Sequence, residues 1–269
     1  MELELNIINA FTDSVSGGNP AGVIITADWL DDELMQSIAS DNNLSETAFL
    51  VMSKPDVYQI RWFSPITEIA FCGHATLASA FVLFNQFPEN GALSFLAKAV
   101  GVLPVIKMDS GKIQMDFPNT KPWQVESIPV SLKAGLSIAP VEVYVNAQAY
   151  FVVYRSESDI LSIARDNELL KQLKPLDVVA TCQSESPDYD FISRYFWPAN
   201  GGDEDPVTGS IHTGLAPFWA ERLGKRELVA YQASHRGGVL NCRVAGDRVF
   251  ISGNAVQSLK ESLFLNGEL

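Results

Sequence analysis

The sequence predicts an α+β protein made of two similar halves, and two repeated stretches predict it. The acidic, Gly-rich run Gly201-Gly202-Asp203-Glu204-Asp205-Pro206-Val207-Thr208-Gly209-Ser210 leads straight into an apolar, helix-like segment over residues 211–223. An earlier stretch, Cys72-Gly73-His74-Ala75-Thr76-Leu77, has the same layout, with Gly73 aligned to Gly209. Upstream of each copy, Arg61-Trp62-Phe63-Ser64-Pro65 echoes Arg194-Tyr195-Phe196-Trp197-Pro198. Two strand–turn–helix units in one chain imply a duplicated domain. The expected divisions are residues 1–117, residues 118–255, and a tail, 256–269, packing back on the first half. If a pseudo-twofold axis relates the halves, both helix starts face one cleft.

The elements follow in order. Residues 3–10 read as a strand, 11–20 as a loop with the turn signal Gly17-Gly18-Asn19-Pro20, and 21–26 as an apolar strand. Asp31 and Asp32 open a helix with a stripe of Leu34, Met35, Ile38 and Ala39. Residues 44–50 are extended and apolar but for one acid, Glu46. A strand over 58–63 ends at Pro65. The helix over 73–84 is apolar nearly all round, so it is expected to be buried, and helices of that kind can sit inside a curved sheet. Residues 93–95, 102–108 and 113–117 read as antiparallel strands, with Asp109-Ser110-Gly111 as a hairpin turn. The second half replays this pattern. Strands are expected over 141–145, 149–154, 178–182 and 191–196, and an amphipathic helix over 159–173. The acidic loop and second buried helix come next, then strands over 228–232, 238–245 and 248–253. Thr208 and Ser210 are of the residue types that cap that helix.

Composition narrows the function. The chain has 269 residues, 47% of them apolar, and a formal net charge of −13. An acidic balance without a basic run argues against nucleic-acid or anionic-membrane partners. No uninterrupted apolar stretch reaches the ~18 residues of a membrane span. Residues 1–5 lack the basic and apolar regions of a signal peptide. Three scattered cysteines fit neither a disulfide framework nor a zinc site, and a reducing cytoplasm suits them. His74 and His212 are not at metal-ligand spacing, and no nucleotide-binding fingerprint occurs.

Glu46 is the leading acid/base candidate, because a carboxylate in an apolar strand must be paired, protonated or used, unless it points to solvent. Asp203, Glu204 and Asp205 are further acids beside a helix start. Gly73 and Gly209 let backbone approach a ligand, and helix starts offer N–H groups to a carboxylate. Cys72 reads as a small buried apolar residue; acid/base work by two thiols needs a second cysteine, and the matching loop has Asp205 instead. His212 and His235 have no partner readable from sequence.

Gly18-Asn19-Pro20-Ala21, Asn43-Leu44-Ser45-Glu46-Thr47-Ala48-Phe49, Cys72-Gly73-His74-Ala75-Thr76, Gly201 to Ser210, and Gln232-Ala233-Ser234-His235-Arg236-Gly237-Gly238 occur in that order along the chain. Jointly this set resembles the PhzF-like phenazine-biosynthesis isomerase family. The resemblance implies the diaminopimelate-epimerase-like fold: two α/β halves, each a curved, mostly antiparallel sheet around a central helix, with the site between them. It implies a homodimer and proton transfer without cofactor. It matches Glu46 to the family's proton-shuttling glutamate, His74, Asp205 and Ser210 to supporting polar residues, and Gly73 and Gly209 to the helix starts facing substrate; Thr208 is adjacent. The expected function is a cofactor-independent isomerase acting on a small carboxylated metabolite. The rivals are a racemase or epimerase using Cys72 with a carboxylate, and a non-catalytic metabolite-binding or interaction protein.

Overall fold

In β1 (Glu2–Ala10), Leu3, Leu5 and Ile8 are buried. β2 (Asn19–Thr26) pairs antiparallel to β1. Gly18 stands between them at φ +68°, where an added Cβ would lie 2.3 Å from the Ala10 carbonyl oxygen. Only glycine fits there without strain. α1 (Asp32–Asn42) buries Met35, Ile38 and Ala39 against Leu5, Ile24 and Phe49. β3 (Glu46–Lys54) then lies parallel to β2, with Glu46 opposite Ala21. β4 (Val57–Phe63) is antiparallel to β3, and the two-residue β5 (Glu68–Ile69) is antiparallel to β4. α2 (Gly73–Gln86) follows, two residues longer than the sequence predicts, and every residue from Gly73 to Ala80 is buried. β6 (Ala92–Ala97) runs parallel to β4, and β7 (Gly101–Lys107) and β8 (Ile113–Pro118) continue as antiparallel neighbours.

The structure is a computed structural model describing residues 1–265. Its chain divides into one unit of Met1–Asp116 with the segment from Ser252 onward, and a second of Phe117–Ile251. In the second unit, β9 (Trp123–Gln124), α3 (Val130–Ala134), β10 (Glu142–Val145) and β11 (Ala149–Val153) come first. The helix expected over 159–173 is broken. α4 (Glu157–Ser162) and α5 (Asn167–Leu170) are separate, each with its own side-chain cap from Ser156 or Asp166, and a 3₁₀ turn follows at Lys171–Leu173. Asp166 took the capping role because its short carboxylate reaches the N–H groups of Glu168 and Leu169.

The rest of the second unit repeats the first strand for strand. β12 (Asp177–Gln183) is parallel to β11, with Asp177 opposite Ala149. β13 (Phe191–Phe196) is antiparallel to β12, and β14 (Glu204–Asp205) is antiparallel to β13. α6 (His212–Leu223) leads to β15 (Glu227–Gln232), parallel to β13, then β16 (Gly238–Ala245) and β17 (Arg248–Gly253). α6 contains Pro217, which cannot donate to the Thr213 carbonyl. The Thr120 N–H does so instead, at 3.1 Å. The chain returns to the first unit as β18 (Ala255–Phe264), which pairs with β1 along its whole length. Leu263 and Leu265 pack on the α1 cluster. The last four residues of the expected tail, 266–269, lie outside the described residues.

Candidate active site

In the first unit, three element starts bring their first residues together. Asn19 begins β2, Glu46 begins β3, and Cys72 and His74 bracket the first residue of α2. The short parallel β2–β3 pairing sets Glu46 beside the helix start. Glu46 Oε2 lies 3.0 Å from His74 Nε2. That oxygen is buried and receives no well-directed hydrogen bond, so the contact is a close ionic one. Asn19 is fully buried, with Nδ2 3.2 Å from His74 Nδ1. An amide suits both states of the ring: its N–H meets a bare Nδ1, and a half-turn presents its oxygen to a protonated one.

Cys72 Sγ lies 3.4 Å from Nδ1 and 3.9 Å from Nε2 of His74. A thiol on one nitrogen's lone pair would be much farther from the other. Such similar distances put the sulfur beside the ring, off both lone pairs. Burial pushes the Cys72 thiol up to about 11, and Glu46 adds to the shift, so the sulfur stays neutral near pH 7. Burial works against a charged His74, a thiolate at Cys72 would favour the charge, and the Glu46 carboxylate beside the ring favours it too, so the direction is upward. With the thiol neutral, the Glu46 carboxylate is the anion that holds the imidazolium. The ligand atoms of Glu46, Cys72 and His74 all lie within 4.8 Å of one another, a donor set able to grip a cation. His–His spacing in the sequence does not reveal this trio. Ligation would require the buried thiol to lose its proton and the sulfur to turn toward the Glu46–His74 contact.

In the second unit, the expected capping by Thr208 and Ser210 does not occur. The residue before α6 is Ile211, already helical, and α6 has no side-chain cap. Thr208 instead donates its hydroxyl to Asp205 Oδ2, and Ser210 Oγ accepts from Gln148 Nε2 at 2.9 Å. The Asp205 carbonyl is held by Gln232 Nε2 at 2.8 Å and by the Ser234 hydroxyl at 2.9 Å, while Gln232 Oε1 accepts the Thr208 N–H at 2.8 Å. His212 Nδ1 donates to the Thr208 carbonyl at 2.8 Å. Burial lowers the His212 pKa to about 4, so the ring is neutral and pins the turn. Gln148, Gln232, Ser234 and His212 thus shape the 205–210 turn. Only the Gln232-Ala233-Ser234 motif hinted at any of them.

Of the three neighbouring acids, Glu204 is clamped by Nε and Nη2 of Arg194, each at 2.8 Å, and by Arg165 at 3.0 Å, and Asp203 accepts from Asn167. Those two are structural, which leaves Asp205. In the first unit Arg61 clamps Glu68 in the same way, at 2.7 Å through Nε and Nη2. The repeated arginines therefore tie β4 to β5 and β13 to β14. Aligning Gly73 with Gly209 makes Thr208 the counterpart of Cys72, and Ser210 that of His74. A surface hollow of about 600 Å³ lined by Asp32, Gln36, Asp41, Phe63 and Glu68 contains none of Glu46, Cys72, His74, Asp205, Thr208 and Ser210.

Two units of one repeated pattern, each with a long buried helix whose start meets a buried polar cluster, define a protein of the diaminopimelate-epimerase-like fold. A crystal structure of a phenazine biosynthesis protein of the PhzF family from Enterococcus faecalis superposes with a TM-score of 0.92 at 40% identity, covering 98% of this chain and 100% of that one. A hydroxyproline epimerase from Agrobacterium vitis shares the fold alone, with a TM-score of 0.57 at 10% identity over 97% of this chain and 92% of its own. The chain belongs to the phenazine biosynthesis-like protein family, whose profile matches residues 8–261. An uncharacterized isomerase of Halalkalibacterium halodurans is 42% identical across 98% of this chain and 100% of its own length. Another, from Pseudomonas aeruginosa, is 44% identical over 95% and 96%. The chain is an isomerase of this family. Among the described residues, no helix is long and apolar enough to cross a membrane.

Proposed function

We propose that this isomerase moves a proton between two carbons of a small carboxylated metabolite, with Glu46 as the group that takes the proton and returns it. The observation that carries the reading is the buried Glu46 oxygen, 3.0 Å from His74 and short of a directed hydrogen bond. A carboxylate so held keeps a lone pair for a substrate C–H. His74 stabilises its charge before transfer, and Asn19 accommodates the ring in either protonation state. The proton leaves one carbon for Glu46 and goes back to another, so the composition is unchanged. Backbone N–H groups at the start of α2, near Gly73, suit a carboxylate in the first unit, and those at the start of α6, near Gly209, suit one in the second. Asp205, Thr208 and Ser210 are the polar groups that the second unit offers to a substrate. The neutral, weakly acidic Cys72 thiol favours this reading over a thiol-based racemase.

The test begins with a thermal-shift screen of small carboxylic acids, then turnover of the hits in deuterated water. Glu46→Gln is expected to cut turnover by about 10²–10⁴ or more, with thermal melting nearly unchanged. Cys72→Ala is expected to retain most activity. Wild-type turnover by the Glu46→Gln protein would remove this mechanism; loss of activity in Cys72→Ala alone would install the racemase instead.

A further inference from the structure

The second unit holds a buried carboxylate, Asp177, that the proposed reaction leaves unused; it is 8% exposed. It begins β12 at the place Glu46 holds in β3, opposite Ala149 as Glu46 is opposite Ala21. A chain of hydrogen bonds runs from it to Ser210, and each link points one way only. The Pro175 carbonyl can only accept, so the Asn200 atom 3.0 Å from it is the amide nitrogen, which also donates to Asp177 Oδ1 at 2.8 Å. Burial raises the Asp177 pKa while the Tyr195 and Asn200 donors work against that rise, and as a carboxylate the group only accepts. Tyr195 gives its single hydroxyl proton to Asp177 Oδ2 at 2.7 Å. Its oxygen can then only accept from Gln148, 3.1 Å away. The Gln148 atom at that place is therefore Nε2, and the other hydrogen on that nitrogen goes to Ser210 Oγ. Ser210 accepts from Gln148, and its own proton is left to point elsewhere.

We infer that Asp177, Tyr195 and Gln148 fix the polarity of Ser210, making it a hydrogen-bond donor that selects a substrate oxygen able only to accept, as in a carboxylate or carbonyl. This rests on the reading of the 208–210 turn as substrate-binding. Gln148 is the positioning residue that passes the polarity on. In the first unit the equivalent register gives a carboxylate in contact with His74, the counterpart of Ser210. In the second unit the carboxylate acts two side chains away, and it orders hydrogens rather than moving a proton.

Gln148→Glu is nearly isosteric and separates the two polarities. If Gln148 donates, the new carboxylate and Asp177 compete for one Tyr195 proton, with Asp205 the other acid bearing on Tyr195. Like charges raise carboxylate pKa values in the fold. The folded state then binds protons more tightly than the unfolded one, so stability falls as pH rises. The expected result is a melting temperature about 2–4 °C or more below wild type at about pH 8, with the deficit shrinking toward about pH 5. Gln148→Met should show a deficit that does not vary with pH. If Gln148→Glu melts with the wild type at about pH 8, Gln148 is an acceptor and the inference falls. Neutron diffraction from deuterated wild-type crystals reads the same point if the variant does not fold. Deuterons are expected on the Gln148 atom facing Ser210, with the Ser210 deuteron turned away; an oxygen at that position overturns the inference. Neither readout involves turnover, so each can fail without touching the Glu46 reading.

Discussion

The buried histidines respond to pH in opposite senses. His74 has a raised pKa, so its stabilising charge is fully present below about 6.5, the ordinary histidine value, and is lost as pH rises through its higher folded value. Wild type should therefore lead His74→Gln in stability most at neutral and mildly acid pH, with the lead shrinking under alkaline conditions; denaturant melts at several pH values measure it. His212 has a lowered pKa, about 4. Its contribution is complete above about 6.5 and is lost as pH falls toward 4, because the unfolded chain binds the proton more readily. The loss is about 3 kcal/mol on the usual conversion. Urea unfolding at about pH 7 and pH 4 should show that wild type loses more than His212→Gln over this interval. Glu46 was legible in the sequence as a lone acid in an apolar strand. His212 was not, because its partner is a backbone carbonyl and leaves no side-chain signal.

At the scale of elements, the repeated Arg61 and Arg194 identified the duplication before their work was visible. Each arginine forks onto a glutamate in the short strand beside it, Glu68 or Glu204. The Arg194 clamp is the more buried, with side chains 13% and 14% exposed. Removing one partner of a buried pair leaves the other uncompensated, at a cost of about 3–5 kcal/mol for full burial. Arg194→Met should cost less than that, because Arg165 still holds Glu204 at 3.0 Å, but more than Arg61→Met, because Glu68 is 44% exposed. Thermal melts rank the two. Gly18 is a second such point: Gly18→Ala strains a left-handed turn and drives a methyl into the Ala10 carbonyl, costing about 1–3 kcal/mol. It should also displace Asn19 and so alter His74 titration, read by NMR. The broken 159–173 segment was harder to see, since its apolar spacing runs through the interruption. Asp166 capping, a local competition between side chain and helix N–H groups, decided it.

For the molecule as a whole, the first unit is assembled from both ends of the chain. β18 supplies one neighbour of β1, and β2 the other. A chain ending at residue 253 would leave β1 with an open edge, and open edges recruit other strands. That truncated protein is expected in the insoluble fraction, or to melt well below the full chain; recovery of a soluble protein with wild-type melting would contradict the role given to β18. The same arrangement bears on how the protein is made. On a ribosome, roughly 250 residues separate the emergence of β1 from that of β18, on the order of 10–50 s at about 5–20 residues per second. The unit carrying Glu46 is thus begun before the second unit and completed after it. A nascent chain cut short anywhere between His74 and β18 holds every residue of the Glu46 cluster, yet lacks the strand that closes the sheet around it.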